Sequence, residues 1–182
     1  TSPDTLRIVL PQEPPTLVLG VPTIWLGLIQ TYDQSLQPGS PNAERWKLPK
    51  GMKSLVGGAA VPESLIRAFD AHGIWILQGW GMTETSPAGT NLLPFGEAKP
   101  GSIGMPLPGV ELQVVDLDDP HRVLAVGEVG ELRVRGKNVT AGYWNKPEEN
   151  KVAFADGFFL TGDVGYMAPD GYFYIVDRKK DM

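Results

Sequence analysis

Residues 62–78 read PESLIRAFDAHGIWILQ and hold a helix followed by a strand. Pro62 stands where a first helical turn needs no N–H. Glu63 lies at the positive end, and Leu65, Ile66 and Phe69 share one face. His72 falls at the negative end and Gly73 supplies the stop. The apolar run IWILQ that follows predicts a buried strand. Upstream, residues 17–20 form a short apolar strand, and TIWLGLIQTY places Ile24, Trp25, Leu28, Ile29 and Tyr32 at helical spacing. MKSLVGGAA then reads as a strand running into a Gly-Gly turn, with SLQPGSPNAE before it as a polar surface loop. Strand, helix, strand, helix, strand over residues 17–78 predicts βαβ units and a largely parallel sheet.

After Pro100 the pattern changes. VELQVV, GELRVRG, FFLTGD and GYFYIVD are short, partly alternating strands. Turn signals separate them: DLDDPH, and the hairpin dipeptides Asp156-Gly157 and Asp170-Gly171. Few helical stretches occur here, KPEENKVAF being the best candidate. The expected fold class is therefore α/β, with a parallel α/β layer over residues 1–100 and a small β-barrel or sandwich over 101–176.

Composition narrows the function. Of 182 residues, 42% are hydrophobic and 20% charged, which is ordinary for a globular chain. A formal charge of -5 gives no electrostatic basis for a nucleic-acid partner. The absence of cysteine excludes disulfides and thiolate metal sites. The longest uncharged stretch, residues 14–32, is interrupted by Pro14, Pro15 and Pro22 and reads as core rather than a membrane span. No secretory signal is visible, so a cytoplasmic location is expected, with membrane-peripheral contact left open.

The stretch QGWGMTETSP, residues 78–87, reads as a loop at the carboxyl end of a parallel strand, where α/β sheets bind ligands. Gly79 and Gly81 let the backbone turn and approach a ligand closely. Trp80 offers a ring face, Thr83 a hydroxyl for a phosphate oxygen, and Glu84 a hard carboxylate suited to Mg²⁺. The same residues also suit a plain turn, and on their own the two readings stand level. Asp163, placed by GFFLTGDVG after a strand in a Thr-Gly-Asp-Val-Gly turn, could accept both hydroxyls of a ribose or merely shape its loop. Arg178, in VDRKKDM, suits bidentate oxygen contacts, or belongs to a solvated basic tail.

Taken together, these stretches resemble the adenylate-forming superfamily of acyl- and aryl-CoA synthetases, luciferases and adenylation domains. GVPTIW, GGAAVP, GSIGMPLPG, GELRVRG and AGYWNKPE continue the match in the family's order. GWGMTETSP with GVPTIWLGL is most similar to the medium- and long-chain fatty acid–CoA ligases. The resemblance implies ATP, Mg²⁺ and coenzyme A as the small-molecule partners of a fatty acid. It gives Thr83 the α-phosphate, Glu84 the Mg²⁺ and Trp80 the adenine. Gly58, Ala59, Gln78, Gly79, Gly81 and Met82 would frame the nucleotide, and Asp163 would hold the ribose with Arg178 beside it. Gly57, Gly58 and Trp25 would line the acyl path, although Trp25 fits a helix core equally well. Lys180 would lie in a hinge beginning at residue 177. Tyr143 and Trp144 are expected as barrel packing, and His72 and His121 as helix-end and turn residues.

The family's phosphate loop and its lysine-bearing C-terminal domain have no counterpart in these 182 residues. Residues 6–15, LRIVLPQEPP, carry three prolines where relatives place a helix. The chain is therefore expected to be an internal piece of a ligase, inactive alone and prone to aggregate through a cut sheet edge. The alternatives are a non-catalytic nucleotide- or acyl-binding module, half of a split enzyme, or an adenylation domain that loads a carrier protein.

Overall fold

The computed structural model describes residues 3–35, 37, 48–49, 51–59, 61–86, 89–91 and 99–181. Most of the polar loop SLQPGSPNAE lies outside the described residues. The chain divides into two compact units, Thr1–Gln78 and Gly79–Met182.

The first unit runs α1 (Pro3–Gln12), β1 (Leu17–Gly20), α2 (Pro22–Ser35), β2 (Lys53–Val56), α3 (Glu63–Asp70) and into β3 (Trp75–Trp80). β1, β2 and β3 are parallel, with Gly20, Val56 and Gln78 in one register row. The proline-rich start is helical after all. Pro11 falls in the last turn of α1 and forfeits one ladder bond there, next to the helix end at Gln12. α3 stops as expected: Gly73 takes φ 72° and donates its N–H to Asp70 O at 2.9 Å. Trp25, Leu28, Met52, Phe69 and Ile74 form the core, with the Trp25 and Phe69 rings edge-to-face at 5.6 Å. β3 is not buried throughout. Ile76 and Gln78 face inward, while Trp75 is 51% exposed.

The second unit carries β4 (Thr90–Asn91), β5 (Met105–Pro106), β6 (Val110–Val115), β7 (Gly130–Gly136), α4 (Pro147–Ala153), β8 (Phe154–Ala155), β9 (Phe158–Met167) and β10 (Phe173–Arg178). The order β10-β9-β7-β6 is antiparallel throughout, and β8 pairs with β9. It is the expected small β-layer, an open half-barrel around Ile103, Leu112, Leu132, Val134, Phe159 and Phe173. Asp156 and Gly157 take φ 52° and 77°. Two consecutive positive φ values are what a two-residue hairpin with right-handed strand twist demands.

Two expectations need correction here. Gly79 and Trp80 are not loop residues; they are the last residues of β3, paired antiparallel with Asn91 and Thr90. Asp163 is not in a turn after a strand, because β9 continues through it to Met167. The sequence suggested a break because Gly162 adopts φ 72° inside the strand.

Candidate nucleotide site

That glycine marks a bulge. Glu131 pairs with Val164 and Arg133 with Leu160, so the single residue Leu132 of β7 faces Thr161, Gly162 and Asp163 of β9. Bulges leave backbone groups without ladder partners and re-aim side chains. Side chains fill the gaps here. Thr161 Oγ1 donates to Leu132 O at 2.7 Å, and Gly162 N donates to Glu131 Oε1 at 3.0 Å. On the other flank β10 bulges between Ile175 and Asp177, which brings Arg178 opposite Asp163.

Asp163 is thus delivered into the interior of the second unit, at 3% exposure. Arg178 Nε stands 2.9 Å from its Oδ1 as an ion pair, and its Oδ2 accepts a hydrogen bond from Trp80 Nε1 at 2.8 Å. A buried carboxylate requires such partners, since isolated it would carry a large desolvation cost. Three of the residues singled out in the sequence therefore meet at one carboxylate.

Beyond Trp80, Met82 is extended and Thr83–Thr85 form one 3₁₀ turn. Thr85 is buried and holds that turn together: its hydroxyl accepts from Met82 N at 2.9 Å and donates to Met82 O at 3.0 Å. Asn138 Nδ2 donates to Thr85 O at 2.8 Å, and Thr140 N donates to Glu84 O at 2.8 Å. With the backbone satisfied from the β7 side, Thr83 is exposed and Glu84 half-buried. A cleft of about 480 Å³ opens here, lined by Met82, Glu84, Tyr143, Gly162, Arg178 and Lys179 among others.

Tyr143 was expected as barrel packing, but its hydroxyl donates to Glu84 Oε1 at 2.8 Å. Desolvation, then this bond to Glu84, holds the phenol above its ordinary pKa. Asn150 of α4 grips the Tyr143 backbone twice, accepting from its N–H at 2.7 Å and donating to its carbonyl at 2.9 Å. The signal lay in AGYWNKPEEN, where a glycine and an asparagine bracket an aromatic ahead of a helix. Trp144 packs no core and is 89% exposed.

The basic tail is not simply solvated. Lys179 Nζ reaches Glu131 Oε2 at 2.9 Å and Leu117 O at 2.7 Å, beside the Arg178–Asp163 pair. Glu131 was visible as a carboxylate amid the apolar alternation of GELRVRG, which required a partner. Lys180 is exposed in the 3₁₀ turn Lys179–Asp181.

The remaining candidates lie in the first unit. Gly58 has φ 82° and Ala59 is exposed, both just past β2. Gly57 N donates to Gly20 O at 3.4 Å. Gln78 Oε1 and Trp25 Nε1 are buried without a hydrogen-bond partner among the described residues. Trp25 sits in the core, its indole nitrogen 2.7 Å from where a Cβ on Gly20 would be. His72 and His121 each meet one aspartate, Asp33 and Asp156, at 3.1 and 3.0 Å. No group of three or more His, Asp or Glu side chains suited to a metal occurs among the described residues.

A lone Glu84 does not make a resident metal centre. It fits a Mg²⁺ that arrives on phosphates, because that ion keeps few protein ligands. Arginine-held Asp163, an aromatic beside it and a hydroxyl–carboxylate turn are a donor set suited to a nucleoside phosphate.

Known proteins point the same way. The family model for AMP-binding enzymes matches residues 1–144. A long-chain-fatty-acid–CoA ligase of Bacillus subtilis is 37% identical over 180 residues, covering 98% of this chain and 30% of the relative. A 3-methylmercaptopropionyl-CoA ligase of Ruegeria pomeroyi is 38% identical over 181 residues, covering 92% of this chain and 31% of the relative. The O-succinylbenzoate coenzyme A synthetase of Bacillus subtilis, solved with ATP and magnesium ion, superposes with a TM-score of 0.82 at 28% identity. That match covers all of this chain and 35% of the solved one. The chain spans about a third of the length of each of these proteins.

Proposed function

The chain belongs to the family of AMP-binding enzymes, and from that premise we propose that it forms the adenosine-binding side of an ATP-dependent fatty acid–CoA ligase. The observation that carries the proposal is the Asp163 carboxylate, gripped by Arg178 and Trp80 within one unit that also holds the Thr83-Glu84 turn.

In the first half-reaction the acid's carboxylate oxygen attacks the α-phosphorus of ATP and the bond to the β-phosphate bridging oxygen breaks, releasing pyrophosphate. In the second, a coenzyme A thiol attacks the acyl carbonyl and AMP departs. An anion must approach a polyanion, so neutralisation and orientation dominate the barrier. Trp80 offers a ring face to the adenine, and Asp163 accepts the ribose hydroxyls while Arg178 holds it in place. Thr83 donates to the α-phosphate. Glu84 carries Mg²⁺, which when bound neutralises phosphate charge. Gly58, Ala59, Gln78, Gly79, Gly81 and Met82 frame the nucleotide in this reading. Gly57, Gly58 and Trp25 border the acyl group, and Lys180 is the hinge.

The fatty acid is preferred as substrate on GVPTIW and on likeness to the Bacillus ligase, among relatives of this chain that include enzymes named for other acids. A further observation supports a larger assembly around this chain. Leu17, Leu19 and Trp75 lie on one face of the parallel sheet at 52%, 68% and 51% exposure. Parallel sheets ordinarily carry cover on both faces.

The test is ATP–pyrophosphate exchange over C6 to C18 acids in the complete protein carrying these residues, with Glu84→Ala beside it. Exchange with a fatty acid that falls about 10²–10³-fold in the variant is expected, the scale of one lost electrostatic contact in a transition state. Exchange with no fatty acid, or an unimpaired variant, overturns the proposal.

A further inference from the structure

We infer that the indole N–H of Trp80 fixes the carboxylate of Asp163, so that one aromatic residue sets the base platform and also the sugar selectivity of the site. The inference deepens the reading above and depends on it for the identity of the ligand as a ribonucleotide.

The geometry is specific to tryptophan. Trp80 Nε1 donates to Asp163 Oδ2 at 2.8 Å, while Arg178 Nε forms an ion pair with Oδ1 at 2.9 Å. An indole N–H lies in the ring plane, so this bond is made at the ring's edge and uses neither face. The far edge is fixed as well. A Cβ on Gly89 would stand 2.5 and 2.7 Å from indole Cζ3 and Cε3, and Gly89 N donates to Trp80 O at 2.9 Å. The ring is therefore pinned at its six-membered end by the Gly89 backbone and at its nitrogen by Asp163. A phenylalanine could offer a face here but no in-plane donor.

The consequence concerns Asp163. A carboxylate has about four lone-pair positions, two on each oxygen. The indole N–H occupies one position on Oδ2 and Arg178 faces Oδ1 as an ion-pair partner, so both oxygens keep acceptor positions for two vicinal hydroxyls. The indole hydrogen bond and the Arg178 ion pair together set the plane of the carboxylate, at a residue only 3% exposed. Without the indole N–H, the ion pair with Arg178 alone holds the group, and it can pivot away from the hydroxyls. Trp80 is thus a positioning residue for the ribose as well as a contact for the base.

The experiment replaces Trp80 in the complete protein with benzothienylalanine, which keeps the two fused rings and puts sulfur where the N–H was. Trp80→Phe is made in parallel. Binding of ATP, 2′-deoxy-ATP and 3′-deoxy-ATP is measured by calorimetry, with thermal melting to establish folding. The expected result is a loss of about tenfold in preference for ATP over the deoxynucleotides, the scale of one hydrogen bond to a charged group. Both variants should show it while the folded protein still binds 3′-deoxy-ATP. ATP binding with unchanged or steeper ribose preference in the benzothienyl protein overturns this inference and leaves the proposed function standing. Failure of the unsubstituted protein to bind ATP overturns both.

Discussion

The Tyr143 hydroxyl donates to Glu84 Oε1 at 2.8 Å, joining two residues 59 positions apart in the chain. Asn150 holds the Tyr143 backbone from α4, so the orientation of the Glu84 carboxylate is set by a helix remote in sequence. With Glu84 in its proposed Mg²⁺ role, the groups that orient it should matter almost as much as the carboxylate itself.

Tyr143→Phe should therefore raise the Mg²⁺ concentration needed for half-maximal adenylation by about tenfold, with a smaller change in kcat. Calorimetric titration of Mg·ATP checks the affinity separately from turnover. The phenol's pKa is raised, so its bond to Glu84 is intact below the ordinary phenol value of about 10 and is lost as pH rises through the folded value. The difference between the two proteins should accordingly persist across neutral pH.

Gly89→Ala should displace the Trp80 ring, since the new methyl would sit 2.5 Å from an indole carbon. Overpacking of this kind costs about 1–3 kcal/mol. Nucleotide affinity should fall with it. Gly101→Ala is the control: its φ is 84° with nothing within 4 Å, so it strains the backbone without touching the site. Equal effects on ATP binding at the two positions would count against the packing argument.

Lys179→Met should destabilise the second unit by about 2 kcal/mol, because Glu131 would keep only the Gly162 N–H at its buried carboxylate. Urea unfolding measures this directly. Lys179→Arg should recover most of the loss.

Asp156→Asn should lower the melting temperature at neutral pH. Asp156 accepts from Arg133, whose side chain is only 5% exposed, and asparagine tolerates the residue's φ of 52°. Its pKa is lowered chiefly by the Arg133 hydrogen bond, then by the one from His121. A depressed folded pKa gives stability that is present above the ordinary carboxylate value and lost as pH falls through the folded one. The gap between native and variant melting temperatures should thus close below about pH 4.

Much of the fold was legible because local chemistry agreed with it. Helical spacing placed Trp25, Leu28 and Ile29 on one face, and Asp156-Gly157 announced its hairpin. Thr83, Glu84 and Arg178 also stood out as residue types in short motifs. What stayed hidden was set by register and by contacts between distant segments. Gly162 read as a turn because a positive φ inside a strand makes sense only opposite Leu132. Tyr143 read as packing because its partner, Glu84, enters from a different part of the chain. The run containing Gly79 and Trp80 extended into a strand because β4 pairs with it, which no periodicity within six residues could announce.

Arg178 and Lys179 are consecutive, yet one is tied to Asp163 and the other to Glu131. Mechanically, the backbone is moored at this point by two short lines to two separate strands. Tension applied at Lys180 loads the Lys179 mooring first and reaches the Asp163 carboxylate only through the peptide bond to Arg178. Slack in one line would leave the other taut, so loss of the Lys179–Glu131 pair would leave the Asp163 carboxylate still held by Arg178.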